Sequence, residues 1–281
     1  AQLSDEHSVR GLYFDSIVRR ALKHFSDAKF VFAHPFVENP EAQMQKNGIE
    51  IIDTTSAYSN YELKNVGQIF YTHDITAQKF YHFGSDPKIL GTHKLEAAFD
   101  PIEAALKKGG SVLIYVPKTH IYSKQIYRQF QKYISMCHPI DNQDALKMIA
   151  DLKEYIGAST TDKFFYNSDM LEKLNCGIVI HHGSMPLTAR LLLEHFTQQG
   201  FCRICFATST LEQGINMPFD VVYLDRFEES KTLSVKNLIG RAGRSTSKPV
   251  FDYGSVVLRP NAMSRFRNVY RKKNTLSSKS R

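Results

Sequence analysis

Residues 177–207 read GIVIHHGSMPLTARLLLEHFTQQGFCRICFA. The short apolar runs at 177–180 and 203–207 are typical of buried strands. Between them, residues 187–199 predict a helix that ends at Gly200. Two strands joined by a helix form a βαβ unit, and the strands of such a unit pair in parallel. The stretch therefore predicts an α/β fold.

The same alternation of helix and strand extends outward on both sides of this unit. Further buried strands are predicted at 111–116, 220–224 and 254–258, and further helices at 101–108, 120–135 and 142–156. Nearer the N-terminus, the pattern predicts a helix at 14–25 and strands at 28–33, 68–71 and 79–83. Strands that alternate with helices predict a parallel sheet with helices on both faces, and such sheets bind ligands beyond the carboxyl ends of their strands.

The composition, with 42% hydrophobic and 23% charged residues, is that of an ordinary soluble globular protein. No run approaches the roughly 18 apolar residues of a membrane span, which excludes a transmembrane protein.

The four cysteines are too few and too irregular for a disulfide framework, so we expect free thiols in a reducing cytoplasm. Cys202 and Cys205 are three positions apart in a predicted strand, where such positions face opposite sides. We therefore expect no metal site from this pair.

The net charge of +8 resides entirely in the last part of the chain. Residues 259–281 contain eight basic side chains and no acidic one, whereas the remaining residues carry equal numbers of each. A basic tail indicates a polyanionic partner, usually nucleic acid. Two other interpretations stay open. The tail is merely solvated, or it begins a helical domain in which Phe266, Val269 and Tyr270 are packed.

Two segments that follow predicted strands carry polar side chains suited to binding. Residues 180–186 contain His181 and His182 and predict a turn into the next helix. Residues 206–218 have three hydroxyl side chains directly after a strand, where side-chain donors and backbone N–H groups suit an anionic oxygen such as a phosphate. The alternative is an ordinary helix N-cap, since Ser and Thr are favoured there. The three hydroxyl residues are Thr208, Ser209 and Thr210.

A third segment, residues 237–244, combines two glycines with two arginines. Each glycine costs a helix roughly 1 kcal/mol, so their presence indicates close approach of the backbone to another group. If the segment is helical, Arg241 and Arg244 share a face. Paired guanidinium groups on one face suit a phosphoryl group. The alternative is a basic surface loop.

In their order and spacing, the three segments resemble the motifs of the second RecA-like domain of superfamily 2 DExH/DEAD-type helicases, and more narrowly those of the Ski-like branch. Residues 207–218 match motif V and residues 237–244 match motif VI, with Asn237 where the family usually has Gln. The resemblance covers residues 110–260. It implies a RecA-like parallel sheet with helices on both faces and an ATP-dependent helicase activity in the full-length protein.

The resemblance also implies roles for single residues. It gives the catalytic role at the γ-phosphate of ATP to Arg241 and Arg244. It assigns the lining of the ATP site to Gly214, Asn216 and Gly240, beside the same two arginines. It assigns contacts with a single-stranded segment of DNA or RNA to His182, Thr208 and Ser209. The implied cofactors are ATP and Mg²⁺.

The resemblance further divides the chain into four regions. Residues 1–40 are expected to form the C-terminal part of a first RecA-like domain, and residues 41–95 to form a connecting segment. Residues 96–260 are expected to form the second RecA-like domain, and residues 261–281 the basic tail. The sequence has no Gly-Lys dipeptide and hence no P-loop. We therefore expect the Mg²⁺ ligands on the N-terminal RecA-like domain of the same protein, and no ATP hydrolysis by this chain alone. Two other functions stay open: an ATP-driven translocase or remodeller that does not separate strands, and a non-catalytic nucleic-acid-binding module.

Overall fold

A computed structural model of the chain describes residues 9–25, 27, 29–32, 37–50, 67–84, 92–157, 169–208, 217–243 and 253–276. Within these residues the strands form one sheet with the order β3-β2-β1-β8-β7-β4-β6-β5. They are β1 (Gln68–Asp74), β2 (Lys79–Phe83), β3 (Lys94–Glu96), β4 (Val112–Tyr115), β5 (Ile178–His181), β6 (Ile204–Ala207), β7 (Val221–Leu224) and β8 (Gly254–Leu258). All neighbouring pairs from β1 to β5 in this order are parallel, whereas β2 and β3 extend one edge in antiparallel fashion.

Helices lie before, between and after the strands along the chain. They are α1 (Val9–His24), α2 (Ala42–Lys46), α3 (Pro101–Lys107), α4 (Lys118–Tyr122), α5 (Gln125–Gln129), α6 (Gln131–Ile134), α7 (Gln143–Tyr155), α8 (Asp169–Leu174), α9 (Leu187–Gln198), α10 (Thr232–Ile239) and α11 (Met263–Arg271). Side-chain caps fix two of the starts. Asp100 accepts the N–H groups of Ile102 and Glu103 at the start of α3, and Asn142 accepts an N–H group at the start of α7.

Both faces of the sheet are covered by apolar side chains. Along β6, Cys205 belongs to the cluster on one face and Phe206 to the cluster on the other, and both are fully buried. Leu113 and Ile114 divide between the faces of β4 in the same way. Alternate side chains of one strand face opposite sides, so a strand buried on both faces reads as a continuous apolar run. The predicted RecA-like α/β sheet with helices on both faces is thereby confirmed.

Two predictions of local structure were wrong. The expected strand at 28–33 is not formed, because residues 29–32 have no regular secondary structure in the described part of the chain. The expected helix at 120–135 is divided into α4, α5 and α6. The first break falls at Lys124, which adopts a left-handed conformation with φ of 57°. A helix does not continue through such a residue, because the left-handed conformation is incompatible with right-handed helical geometry.

Strands β1 and β2 lie in the region predicted to connect two domains, yet they belong to the main sheet. Residues of β1 pair in parallel with those of β8, from Gln68 with Gly254 to Thr72 with Leu258. At the other end of the chain, α11 packs on this part of the sheet. Phe266 is fully buried, with its ring 5.7 Å from that of Phe70. The domain limits themselves stay predictions.

The packing of α11 bears directly on the predicted basic tail. Phe266 and Val269 are fully buried, and Tyr270 is half-buried with its ring stacked on Phe266 at 5.7 Å. The interpretation in which these three side chains are packed is therefore the one that the structure supports. Arg265 and Arg271 project from the same helix and are exposed.

The cysteines are free, and three of the four are buried. Cys202 and Cys205 lie in one apolar cluster, contrary to the expectation that they face opposite sides. The reason is that β6 begins only at Ile204, so the alternation of a strand does not extend back to Cys202. Burial and the neighbouring Cys202 thiol raise the pKa of Cys205. Among the described residues, no group of three or more His, Cys, Asp or Glu side chains could hold a metal ion.

None of the helices found in the described ranges combines the length and the apolar character needed to cross a bilayer.

Candidate nucleic-acid and nucleotide site

The carboxyl ends of three neighbouring strands bring two of the predicted nucleic-acid contacts together. The N–H of Thr208, just after β6, donates to the carbonyl oxygen of His181 at the end of β5, over 3.2 Å. On the other side of β6, the N–H of Val116 donates to Ala207 at 2.9 Å. His182 and Thr208 therefore lie side by side at one edge of the sheet. Thr208 is only 6% exposed, so most of its surface is already buried.

His182 is half-buried at this edge and is held by the turn that follows it. The N–H of Ser184 donates to the His182 Nδ1 at 3.3 Å, and the N–H of Met185 donates to its carbonyl oxygen at 3.1 Å. Burial lowers the pKa of His182, and the positive charge of Lys118 lowers it further. The neutral ring accepts a hydrogen bond at Nδ1, so its proton resides on Nε2. His182 can therefore donate to an acceptor such as a phosphate oxygen.

The adjacent His181 is fully buried and has a structural role. Its Nε2 lies 3.0 Å from a carboxylate oxygen of Glu194 on α9. Burial lowers the pKa of His181 more than Glu194 raises it. His181 is therefore a neutral side chain that joins β5 to α9, and only His182 of the pair is accessible to a ligand.

Sequence analysis missed Lys118, which lies at the same edge. This residue follows β4, and its Nζ donates to Ser184 Oγ at 2.6 Å. The signal that could have found it is its position, because it is a cation directly after a buried strand in a parallel sheet.

The two segments predicted to bind ATP meet through their backbones. The N–H of Phe219 donates to the carbonyl oxygen of Arg241 at 3.2 Å, and the N–H of Gly243 donates to the carbonyl oxygen of Phe219 at 2.7 Å. Phe219 and Ala242 thus form a parallel β-bridge. The end of the first segment and the core of the second are therefore held side by side.

A glycine allows this arrangement. A Cβ on Gly254, at the start of β8, would overlap the backbone of Ala242 and Gly243 at distances that real Cβ atoms do not show. The sequence predicted a close backbone approach for the glycines at 240 and 243. The structure shows a close approach between Gly254, outside the predicted segment, and the backbone of Ala242 and Gly243 within it.

Arg241 is not on a helix. Helix α10 ends at Ile239, Gly240 forms its C-terminal cap, and Arg241 begins the turn that contains the bridge. The argument that Arg241 and Arg244 share a helix face therefore does not hold at Arg241. Its side chain is buried, with 4% of the residue exposed, and its charge contributes to lowering the pKa of His181.

The remaining predicted site residues lie outside the described part of the chain. They are Ser209, Gly214, Asn216 and Arg244. Their roles stay predictions, as do those of His182, Thr208, Gly240 and Arg241.

A buried carboxylate at the ends of β7 and β8 was also missed by sequence analysis. Asp225 follows β7, and its side chain is fully buried. It accepts from Arg259 Nε at 2.5 Å and from Gln129 Nε2 at 3.1 Å, and His120 Nδ1 lies 3.3 Å away. The first of the eight basic residues counted in the tail is therefore paired with Asp225. Since charge pairing lowers the net attraction to a polyanion, the count of eight overstates the basic charge that this part of the chain offers to such a partner.

Comparison with known proteins supports a helicase C-terminal region as the class to which this fold and these strand ends belong. Residues 146–246 match the sequence model of the helicase conserved C-terminal domain. The match includes the segments around His182, Thr208 and Arg241.

Three known proteins are similar to parts of this chain. ATP-dependent DNA helicase Hel308 of Caldivirga maquilingensis is 26% identical over 164 residues, which are 54% of this chain and 20% of that protein. Probable ATP-dependent DNA helicase HFM1 of Mus musculus is 31% identical over 114 residues, 38% of this chain and 8% of that protein. Hachiman protein HamB of Bacillus cereus is 29% identical over 143 residues, 48% of this chain and 12% of that protein. The matched part is thus a fifth or less of each relative. These similarities support a C-terminal region of a DExH/DEAD helicase.

Proposed function

We propose that this chain is the second RecA-like part of an ATP-dependent nucleic-acid helicase of the Ski-like branch. It supplies motif V and the arginines of motif VI to an ATP site shared with a first RecA-like domain. It also grips one nucleic-acid strand at the carboxyl ends of its own strands. Hydrolysis opens and closes the cleft between the domains, which alternates the grip on the strand.

The bridge between Phe219 and Ala242 is the observation that carries this proposal. It links Phe219, directly after residues 207–218, to the middle of residues 237–244 through two backbone hydrogen bonds. Phe219 and Thr208 lie on the same connection between β6 and β7, so the bridge joins the segment assigned to the nucleotide to the segment assigned to the strand. Coupling between two sites requires a contiguous element of this kind whose state both sites can influence.

The burial of Arg241 favours different tasks for the two arginines. A guanidinium that is already enclosed beside His181 supports the local structure, and Arg244 remains the candidate for direct contact with the γ-phosphate. An arginine that neutralises the developing charge on the transferred phosphoryl group accelerates related reactions by about 10³–10⁵. Mg²⁺ supplies the remaining charge neutralisation, and we expect its ligands on the first RecA-like domain.

The decisive experiment is ATP hydrolysis by the full-length protein with Arg244→Ala. We expect the rate to fall by about 10³–10⁵ while binding of single strands stays within a few-fold of wild type. Arg265→Ala, which removes an exposed arginine of α11, is the matched control and should hydrolyse ATP normally. Hydrolysis by Arg244→Ala within a few-fold of wild type would show that the motif VI assignment is wrong.

A second measurement separates the proposed helicase from its alternatives. Strand displacement measured beside ATP hydrolysis distinguishes a helicase from a translocase or remodeller, which hydrolyses ATP and leaves the duplex intact. A non-catalytic binding module would bind strands without any stimulated hydrolysis.

A further inference from the structure

One exposed aromatic ring lies beside the strand-binding edge. Tyr122 is the last residue of α4, and 59% of the residue is exposed. Its ring centroid lies 5.6 Å from that of His182, with 51° between the ring planes. Helix α4 follows β4 and His182 follows β5, so the ring is next to the edge formed by the ends of β4, β6 and β5. Neither the motifs nor the proposed function assigns a role to this side chain.

One cation and one hydrogen-bond donor lie beside the ring. Lys118 Nζ lies 5.4 Å from the centroid of the Tyr122 ring and donates to Ser184 Oγ. Because β6 separates β4 from β5 in the sheet, this hydrogen bond spans the end of β6, where Thr208 lies. The lysine is therefore held in place at the edge by contacts within the protein. His182, whose ring centroid lies 5.6 Å from that of Tyr122, can donate a hydrogen bond from Nε2.

We propose that Tyr122 is a stacking platform for one unpaired base of a nucleic-acid strand whose phosphates are bound by Lys118 and His182. Proteins that bind single strands combine basic grooves that follow the backbone with aromatic rings on which bases stack. The Tyr122 ring, the Lys118 cation and the hydrogen-bond donor of His182 bring the same two features together in one small cluster. The proposal rests on the proposed function and adds that the site recognises an unpaired base of the strand.

This chemistry predicts a definite selectivity. Every base has a π-face, so stacking on Tyr122 tolerates any sequence. A base inside a duplex is already stacked and paired, so the ring discriminates single strands from double strands. Stacking does not involve the sugar, so DNA and RNA strands are expected to gain equally from the ring.

Fluorescence titration of the 281-residue chain tests the platform. The probes are strands of about 12 nucleotides of oligo(dT) and oligo(U), labelled at one end, and a blunt DNA duplex of the same length. Tyr122→Ala is expected to weaken binding of both single strands by roughly tenfold, within a range of about 5- to 150-fold, and to leave duplex binding unchanged. A strand carrying 2-aminopurine is expected to be quenched by wild type at one position of the label and not by Tyr122→Ala.

Two control variants and one measurement of folding, applied to these two and to Tyr122→Ala, make the result specific. Tyr122→Phe keeps the ring and should bind as wild type does. Tyr155→Ala removes another exposed tyrosine, at the end of α7, and should also bind as wild type does. Far-UV circular dichroism should be unchanged in all three variants, because each substitution is on an exposed side chain.

Each outcome decides the proposal. Equal binding of single strands by wild type and Tyr122→Ala overturns the platform and leaves the proposed function standing. A loss in Tyr122→Phe as large as in Tyr122→Ala shows that the hydroxyl makes the contact, which also overturns stacking. Loss of duplex binding to the same extent as single-strand binding contradicts the selectivity for unpaired bases. A wild-type chain that binds no strand overturns the platform and the proposed grip together.

Discussion

The side-chain amide of Asn39 hydrogen-bonds both backbone groups of Leu276. Its Nδ2 donates to the Leu276 carbonyl oxygen at 2.8 Å, and its Oδ1 accepts from the Leu276 N–H at 2.7 Å. Beside this pair, Val37 and Asn274 form a parallel β-bridge, and Lys273 Nζ lies 2.7 Å from a carboxylate oxygen of Glu38. The segment that follows α11 is therefore fastened to residues 37–39, which lie before the sheet.

Replacing Asn39 by Ala should release this segment. Two hydrogen bonds are lost at a net cost of about 1–3 kcal/mol, so amide exchange at Leu276 should accelerate by roughly tenfold or more. Hydrogen exchange of peptides covering residues 272–276 measures the effect. Asn268→Ala breaks a comparable hydrogen bond, to Glu229, and serves as the control that should leave exchange at Leu276 unchanged. Equal exchange in wild type and Asn39→Ala would show that the contact does not hold the segment.

Gly254→Ala should destabilise the protein through the bridge between Phe219 and Ala242. The added Cβ would overlap the backbone of Ala242 and Gly243, which cannot yield as a flexible side chain can. Forced overpacking of this kind typically costs about 1–3 kcal/mol. Urea unfolding measures the loss, and Gly84→Ala, where a Cβ meets no atom within 4 Å, is the control. An equal unfolding free energy for the two variants would contradict the close approach.

His73 should make folding sensitive to acid. Burial, opposed by Asp100, lowers its pKa from 6.5 to about 4. The unfolded chain therefore binds a proton more readily than the folded chain, and stability falls as the pH decreases from about 6.5 to about 4. His73→Phe preserves the stack on Phe80, whose ring lies 4.2 Å away, and removes the titration.

Unfolding free energies measured across this pH range should show a shallower decline for His73→Phe. The difference in slope is at most about 1.4 kcal/mol per pH unit. His138→Phe, at an exposed position, controls for the loss of an imidazole in general. Parallel curves for His73→Phe and wild type would contradict the assignment.

The basic residues around α11 should contribute to the salt dependence of strand binding. Deleting residues 259–281 is not a clean test, because it removes the buried Phe266 and Val269 and the partner of Asp225. The exposed Arg265, Arg271 and Lys272 can instead be replaced together by Gln. If all three engage phosphates of a single strand, the slope of log K against log salt should flatten by roughly 2 units.

A variant with the same change in net charge controls this experiment. Lys23, Lys108 and Lys147 are exposed and lie on other elements, and their replacement by Gln should change the slope much less. Similar slopes for the two triple variants would indicate that the basic residues of α11 act only through total charge.

The parts of the fold that could be predicted from the sequence are those in which neighbours along the chain decide the outcome. β4 and β6 were predicted because their side chains are buried on both faces and read as continuous apolar runs. The break at Lys124 escaped prediction, because nothing in the helical pattern marks its left-handed backbone conformation. The apolar run at 28–33 has the local pattern of a strand, yet residues 29–32 have no regular secondary structure, so the run alone does not decide the outcome.

In the candidate site, too, residues marked by local sequence were predicted and residues joined by distant contacts were missed. His182 and Thr208 were found because each follows a strand that could be located from local pattern. The pairing of Asp225 with Arg259 and that of Asn39 with Leu276 join residues 34 and 237 positions apart, and no local pattern indicates either. Tyr122 was missed because only its proximity to His182 distinguishes it from other exposed tyrosines. The two residues follow different strands, so this proximity is visible only in the structure.

Nucleic-acid-stimulated phosphate release tests the central claim, that this chain is one half of an ATP-driven motor, most directly. The rate is measured for the purified 281-residue chain and for the full-length protein, each with and without single strands. We expect stimulated release from the full-length protein and none above a contaminant control from the chain alone, because the chain has no P-loop. Stimulated release from the chain alone, or its absence from the full-length protein, would contradict the claim.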